Sequence, residues 1–298
     1  MPDPVPPAAV PRGYVRARIA RRTDCTPDLA VFHLESEAPL AFWPGQYATL
    51  ALPDPDGRLV KRPYSIVSAP HEPHVELFVE RVDGGALTPQ LWSYREGDAI
   101  LMRQRVAGQF LLEEPDESGP RRHVFCATVT GIAPFCSMLR AYRHALEVGT
   151  AADHRFLVLL AASGPDDFGP YAAEMEAFGR EPYAQAVVTV SRPWAAPGWT
   201  GETGRVEDVL RKHLDSAGFR GPAVTAYACG NPDMIANVRG VLRRAGFADE
   251  QVREEEYFHA HESAPESTVA EPVPAVAPPS GARPGSITLK TAPPPGSA

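Results

Sequence analysis

The chain has 298 residues, 44% of them hydrophobic, which is enough for two domains with cores of their own. Its formal charge of −8, with arginine as nearly every cation (the lysines are Lys61, Lys212 and Lys290), argues against nonspecific nucleic-acid binding, which needs a basic footprint. The four scattered cysteines, Cys25, Cys126, Cys136 and Cys229, contain no C-x-x-C pair. They exclude a zinc ribbon or an iron–sulfur cluster on this chain and fit a reducing, cytoplasmic setting.

The segment Met1–Val10 is proline-rich without an apolar h-region, so residues 1–12 read as a flexible arm and not as a signal peptide. No apolar run approaches the ~20 residues of a membrane span. From Tyr14 to about Met102 short strands are expected at Tyr14–Arg22, Leu29–Glu35, Tyr47–Leu52, Lys61–Ser68, Val75–Arg81 and Ala99–Arg103. Turn signals such as Pro53-Asp54 and Glu96-Gly97-Asp98 separate them. Six short strands with little helix predict an antiparallel β-barrel, placed at 13–118.

A charged linker, Glu113–Pro120, precedes a change of rhythm. Strand-like runs at His123–Ala127, Phe156–Ala161, Ala186–Val190 and Val224–Cys229 alternate with helical stretches. In one of these Phe135, Met138, Leu139, Tyr142 and Leu146 share a face. Alternating β and α predicts a doubly wound parallel sheet over 119–258. Residues 259–298 turn to Pro, Ala, Ser and Glu without periodicity and are expected to be disordered.

Three motifs carry the chemistry. In Arg62-Pro63-Tyr64-Ser65-Ile66-Val67-Ser68 a guanidinium fork suited to pyrophosphate lies two residues from a phenol ring suited to stacking on a flat heterocycle. In a regular strand Ser65 would face away from them. In Gly84-Gly85-Ala86-Leu87-Thr88-Pro89 the threonine suits an N-cap and the proline N1 of a short helix over Gln90–Tyr94. Thr130-Gly131-Ile132-Ala133-Pro134 and Ala228-Cys229-Gly230-Asn231-Pro232 follow the first and fourth strands of the second domain. In a 3-2-1-4-5 sheet those strands are neighbours at the switch point, so two helix N-termini, entered through Pro134 and Pro232, converge on one crevice.

In this order and spacing the motifs resemble the ferredoxin–NADP⁺ reductase family, in particular its bacterial ferredoxin/flavodoxin reductases, from about Tyr14 to Phe258. The resemblance implies FAD in the barrel, with Arg62 on the pyrophosphate, Tyr64 on the flavin ring and Ser65 near flavin N5. Ser68 completes the Arg-x-Tyr-Ser-x-x-Ser pattern, and the Gly85–Thr88 segment touches FAD phosphates. Thr130 and Gly131 would meet the nicotinamide, and Cys229 would sit near the hydride-donating carbon in a packing and positioning role. Gly230, Pro134 and Pro232 would shape the crevice. Arg192 and Arg205 resemble the holders of the NADPH 2′-phosphate, which favours NADPH over NADH. Glu255, Tyr257 and Phe258 resemble the terminal acid and aromatic cover. The activity implied is hydride transfer from NADPH to FAD, then single-electron transfer from a monomer to ferredoxin or flavodoxin. No metal is expected. The alternatives are an NADH-dependent reductase of an oxygenase system and a flavin-binding regulatory module without turnover.

One position departs from the pattern. Val129 stands where the family's Ala-Thr-Gly-Thr-Gly has its first glycine, and a β-branched residue resists positive φ. Lowered nucleotide affinity or a re-shaped loop is therefore expected. A possible basic face of Arg239, Arg243 and Arg244 reads more simply as a solvated helix surface.

Overall fold

A computed structural model describes residues 10–115 and 119–257. The expectations for most of the N-terminal arm, for Phe258 and for 259–298 lie outside the described residues. Six strands build the first sheet: β1 (Tyr14–Thr26), β2 (Leu29–Ser36), β3 (Tyr47–Pro53), β4 (Leu59–Ser65), β5 (Val75–Glu80) and β6 (Ala99–Arg103). They pair antiparallel in the order β4-β3-β6-β1-β2-β5. The two edges then meet, because Ile66 bridges Leu77 and the Val67 N–H donates to the Glu76 carbonyl at 2.8 Å. This is the expected barrel.

The period of two along β2 and β5 decides what each face buries. Ala30, Phe32 and Leu34, with Val75, Leu77 and Val79, point into the barrel core. Leu29, Val31 and Phe78 point the other way and join the core of the second domain. These three residues make part of the outer face apolar because it is a docking surface for the rest of the chain.

Three local expectations are corrected. Strand β1 runs on to Thr26, because the tight turn at Pro27-Asp28 carries its pairing through Thr26 and Leu29. The expected Lys61–Ser68 strand is β4, which ends at Ser65 where the chain leaves its β3 partner and crosses to β5. The expected helix over Gln90–Tyr94 is the four-residue α1 (Thr88–Leu91), and Thr88 does not cap it. Its hydroxyl is engaged by the preceding turn, accepting from the Val82 N–H at 3.0 Å.

The second sheet is parallel: β7 (Arg121–Thr128), β8 (His154–Ala162), β9 (Ala184–Val190), β10 (Glu202–Thr203), β11 (Val224–Gly230) and β12 (Val252–Glu256). Its order is β10-β9-β8-β7-β11-β12, the expected 3-2-1-4-5 winding with a short strand added at one edge. Helices α2 (Ala133–Glu147) and α3 (Tyr171–Phe178) cover the face toward the barrel, while α4 (Val206–Ala217) and α5 (Pro232–Arg244) cover the other. Leu146 is 42% exposed, so it leaves the apolar face predicted for α2, and Ala145 is the buried residue of that turn.

The barrel and the parallel sheet share one apolar cluster, in which Leu29, Val31, Val67, Phe78 and Phe110 meet Phe125, Phe135, Met138 and Tyr171. Beside it Arg140 of α2 is 12% exposed and pairs with Glu76 of β5 at 2.6 Å and with Glu174 of α3 at 2.6 Å. The Tyr171 hydroxyl donates to Glu76 at 2.7 Å. The two sheets are thus clamped by apolar burial and by a buried ionic group. Among the described residues no helix is long and apolar enough to cross a membrane.

Candidate active site

A cleft of about 990 Å³ opens where the two sheets meet, at the carboxyl ends of the parallel strands. The barrel supplies Arg62, Tyr64 and Ser65 from the end of β4, Phe78 from β5 and Thr88 from α1. Because β4 stops at Ser65, the strict alternation of faces stops there too, and Tyr64 and Ser65 both line the cleft. The opposite wall carries Val129 and Thr130 after β7, Ser191 and Arg192 after β9, Arg205 before α4, Gly230 at the end of β11 and Asn231 after it.

The placing of Glu255 follows from strand pairing. Polar β12, which carries no alternating apolar signal, joins the sheet with Cys229 opposite Glu255, and this register brings the acid to the cleft. There the Ser65 hydroxyl donates to Glu255 Oε1 at 2.7 Å, across 190 residues of sequence. Burial pushes the Glu255 carboxyl above the usual carboxylate range, and the Ser65 hydrogen bond opposes that shift. Tyr257 closes this end: its hydroxyl donates to the Thr130 carbonyl at 3.3 Å and its N–H to the Gly230 carbonyl at 3.1 Å.

The two nucleotide loops approach each other through glycines. A Cβ on Gly131 would lie 2.6 Å from the Cys229 carbonyl carbon and 3.0 Å from Gly230 Cα, and one on Gly230 would lie 3.1 Å from the Thr128 carbonyl oxygen. Thr128 Oγ1 accepts from the Asn231 N–H at 3.0 Å, and Asn231 caps α5 by accepting from the Asp233 and Met234 N–H groups. Val129 takes φ +45°, the left-handed conformation a glycine would hold there without strain. Val129 thus holds this turn in a left-handed conformation without a glycine.

Of the residues singled out in the sequence, Arg62, Tyr64, Ser65, Thr88, Thr130, Arg192, Arg205, Gly230, Glu255 and Tyr257 line the cleft. Ser68, Gly85, Gly131, Pro134, Cys229 and Pro232 are not among its lining residues. Ser68 is buried and accepts from the Glu76 N–H at 3.0 Å, which supports the barrel closure. Cys229 is fully buried, and burial together with the nearby Glu255 pushes its thiol well up, so it is no thiolate nucleophile. Arg239 pairs with Glu254 and Arg243 with Asp249, which neutralises much of the basic face considered for α5. Sequence reasoning missed Phe78, Val79 and Trp194 as cleft residues. The first two read as plain strand residues, and Trp194 sits in a loop with no motif.

The donor set fits two dinucleotides. Helices α2 and α5 begin near the cleft, three guanidiniums (Arg62, Arg192 and Arg205) line it, and so do the Tyr64 ring and the Ser65–Glu255 hydroxyl–carboxyl pair.

The family described as oxidoreductase FAD-binding domain matches residues 16–108, and that described as oxidoreductase NAD-binding domain matches residues 125–240. The chain is 36% identical to ferredoxin–NADP reductase B of Sorangium cellulosum over 206 residues, 68% of this chain and 79% of that protein. It is 29% identical over 261 residues to DmpP, the reductase component of phenol 2-monooxygenase from a Pseudomonas species, covering 86% of this chain and 68% of that protein. Its fold is that of a ferredoxin NADP⁺ reductase from Neisseria gonorrhoeae solved with bound FAD and NADP. The TM-score is 0.69 at 22% identity, with 83% of this chain and all of the other covered. With both halves matched in order and a relative this similar over most of its length, the chain belongs to the ferredoxin–NADP reductase family.

Proposed function

We propose that the protein is an FAD-dependent NADPH reductase that delivers electrons to a ferredoxin or flavodoxin. The observation that carries this reading is the 2.7 Å bond from Ser65 of the barrel to Glu255 of the last strand, made where both nucleotide loops converge. Bound FAD supplies the conversion of a hydride from NADPH into electrons released one at a time to the external carrier.

The chain's own residues orient and protect that exchange. Tyr64 lines the cleft where a flavin ring would pack, and the Arg62 guanidinium on the same wall suits its pyrophosphate. Ser65 Oγ and Glu255, joined at 2.7 Å in the cleft, would present a proton to a bound flavin, and the raised carboxyl would hold one nearer neutral pH. Thr130 and the Cys229–Gly230 backbone form the nicotinamide floor, with Cys229 acting through packing. Tyr257 covers that floor and keeps water out, so an arriving nicotinamide ring displaces it. Arg192 and Arg205 favour a 2′-phosphate, and with it NADPH over NADH.

The working unit is a monomer with an FAD-binding domain at 13–118 and a nucleotide-binding domain at 119–258. The four unpaired cysteines support a cytoplasmic setting.

The test is anaerobic stopped-flow mixing of the yellow protein with NADPH and then with NADH. Rapid bleaching of the flavin by NADPH and much slower bleaching by NADH is expected. The reverse preference would favour an NADH-dependent oxygenase reductase, the reading suggested by the similarity to the phenol monooxygenase component. No bleaching by either would favour a regulatory flavoprotein.

A further inference from the structure

Two tryptophans five residues apart in the segment after β9 are treated in opposite ways. Trp199 is tucked against Phe168 at 6.0 Å between ring centroids, and its indole N–H donates to the Glu202 carbonyl at 2.8 Å. Trp194 is 78% exposed, the most exposed large apolar side chain among the described residues, and it lines the cleft. Its exposure is not that of a loose loop. The Ser191 N–H donates to the Ala162 carbonyl at 2.9 Å, and the Arg192 N–H to the Ser163 carbonyl at 3.1 Å. The Ala195 N–H closes the turn on the Arg192 carbonyl at 3.0 Å, and Pro193 stiffens it. A rigid turn therefore holds a bare indole at the carboxyl end of a parallel strand, on the cleft wall that also carries Arg192 and Arg205. An indole face kept in water on a fixed support suits a flat, weakly hydrated ring, and the neighbouring guanidiniums suit an anion.

We propose that Trp194 is a positioning residue that stacks on the adenine of the incoming dinucleotide while Arg192 and Arg205 hold its ribose phosphate. The proposal rests on the NADPH reading above and deepens it. Preorganisation makes the platform effective, because no loop has to be ordered on binding.

The experiment is titration of the FAD-loaded full chain and its variants with adenosine 2′,5′-bisphosphate, followed by tryptophan fluorescence, with NADPH flavin reduction measured alongside. Wild-type emission should be quenched on binding, and the W194F difference should remove most of that quench. W194A should raise the bisphosphate Kd and the NADPH Kd roughly ten- to a hundred-fold, the range for loss of one base stack. The limiting reduction rate should change far less, and W194F should recover most of the affinity. W43A, which removes another exposed indole away from the cleft, should change neither constant. If W194A binds the bisphosphate as the wild type does while NADPH still bleaches the flavin, the stacking role is wrong and the reductase reading stands. If the bisphosphate does not bind the wild type at all, both are wrong.

Discussion

The two walls of the cleft are made by different means. The barrel wall is regular strand: Tyr64 and Ser65 end a fully paired β4, and every backbone angle there is ordinary. The nucleotide wall is loop. It holds a β-branched residue at φ +45° and two glycines with no room for a side chain, and its polar groups are tied by side-chain caps. A site on a strand inherits its precision from the sheet, whereas a site at the switch point must fix its own backbone locally. The strand wall should therefore tolerate small changes that the loop wall does not.

The largest effect is expected where the walls are joined. Arg140 binds Glu76 from the barrel and Glu174 from α3, all three mostly buried, with Tyr171 on the same carboxylate. Removing one partner of a buried ionic group leaves charge without compensation, a loss of about 3–5 kcal/mol. R140A should lower the denaturation midpoint sharply and loosen the cleft as a whole. R140M combined with E76Q should recover much of that loss, because no buried charge is then left alone on the barrel side. A midpoint for R140A within 2 °C of the wild type would mean that apolar burial alone holds the walls together.

Next comes the loop wall itself. An added methyl on Gly131 meets the Cys229 carbonyl, which belongs to a central strand and cannot retreat. Overpacking against backbone costs about 3 kcal/mol, so G131A should drop the melting temperature by roughly 10 °C. Nucleotide binding should be lost with it, while flavin stays bound to the barrel. S65A on the strand wall should leave the melting temperature almost unchanged and slow flavin reduction instead. If S65A destabilised as much as G131A, the contrast between the walls would fail.

A smaller effect distinguishes the far end of the parallel sheet. His123 and His154 share a hydrogen bond of 2.9 Å between ring nitrogens, so at least one nitrogen must be unprotonated. His123 is fully buried, and its Nδ1 has no partner among the described residues. Burial holds His123 well below the ordinary imidazole value, and it holds His154 at about 4. Between pH 6.5 and about 4 the unfolded chain therefore binds protons that the folded chain refuses, and stability falls as the pH drops through that window. Above 6.5 both states are neutral and the pair contributes nothing. At pH 5 the loss from His154 alone should be about 2 kcal/mol relative to pH 7.5, and His123 adds to it. Thermal melts across that range should show it, and H154F should flatten the slope.

The same contrast explains what could be read in advance. The barrel strands, the 3-2-1-4-5 winding and the Ser65 motif were legible because they rest on alternation and on residue types at fixed spacing. β12 was not, because Val252-Arg253-Glu254-Glu255-Glu256 has no apolar period. It is a strand through pairing with β11 and through ion pairs such as Arg253 with Glu113. Thr88 was misjudged because a capping residue and a turn-bracing residue look alike until the carbonyls around them are placed. Trp194 escaped because a lone aromatic in a loop carries no pattern, only an exposure.

The smallest stability effect falls on Val129, where strain and packing compete. A left-handed β-branched residue costs about 1–3 kcal/mol, and glycine removes that cost. Glycine also gives up the contact of the Val129 side chain with the core and frees the unfolded chain, together worth about 1–2 kcal/mol in the other direction. V129G should therefore shift stability by about 1 kcal/mol or less. Affinity is a separate matter, since the isopropyl group lines the cleft beside Thr130, where a dinucleotide backbone would approach. V129G should tighten NADP⁺ binding clearly, measured by titration of the oxidised protein. V129A separates the causes: it keeps the positive φ and removes the two γ-methyls. Equal tightening by V129A and V129G would assign the effect to the side chain in the cleft, and tightening by V129G alone to the strained backbone. No change in either would show that the loop wall holds its nucleotide at full strength with valine in a glycine's place.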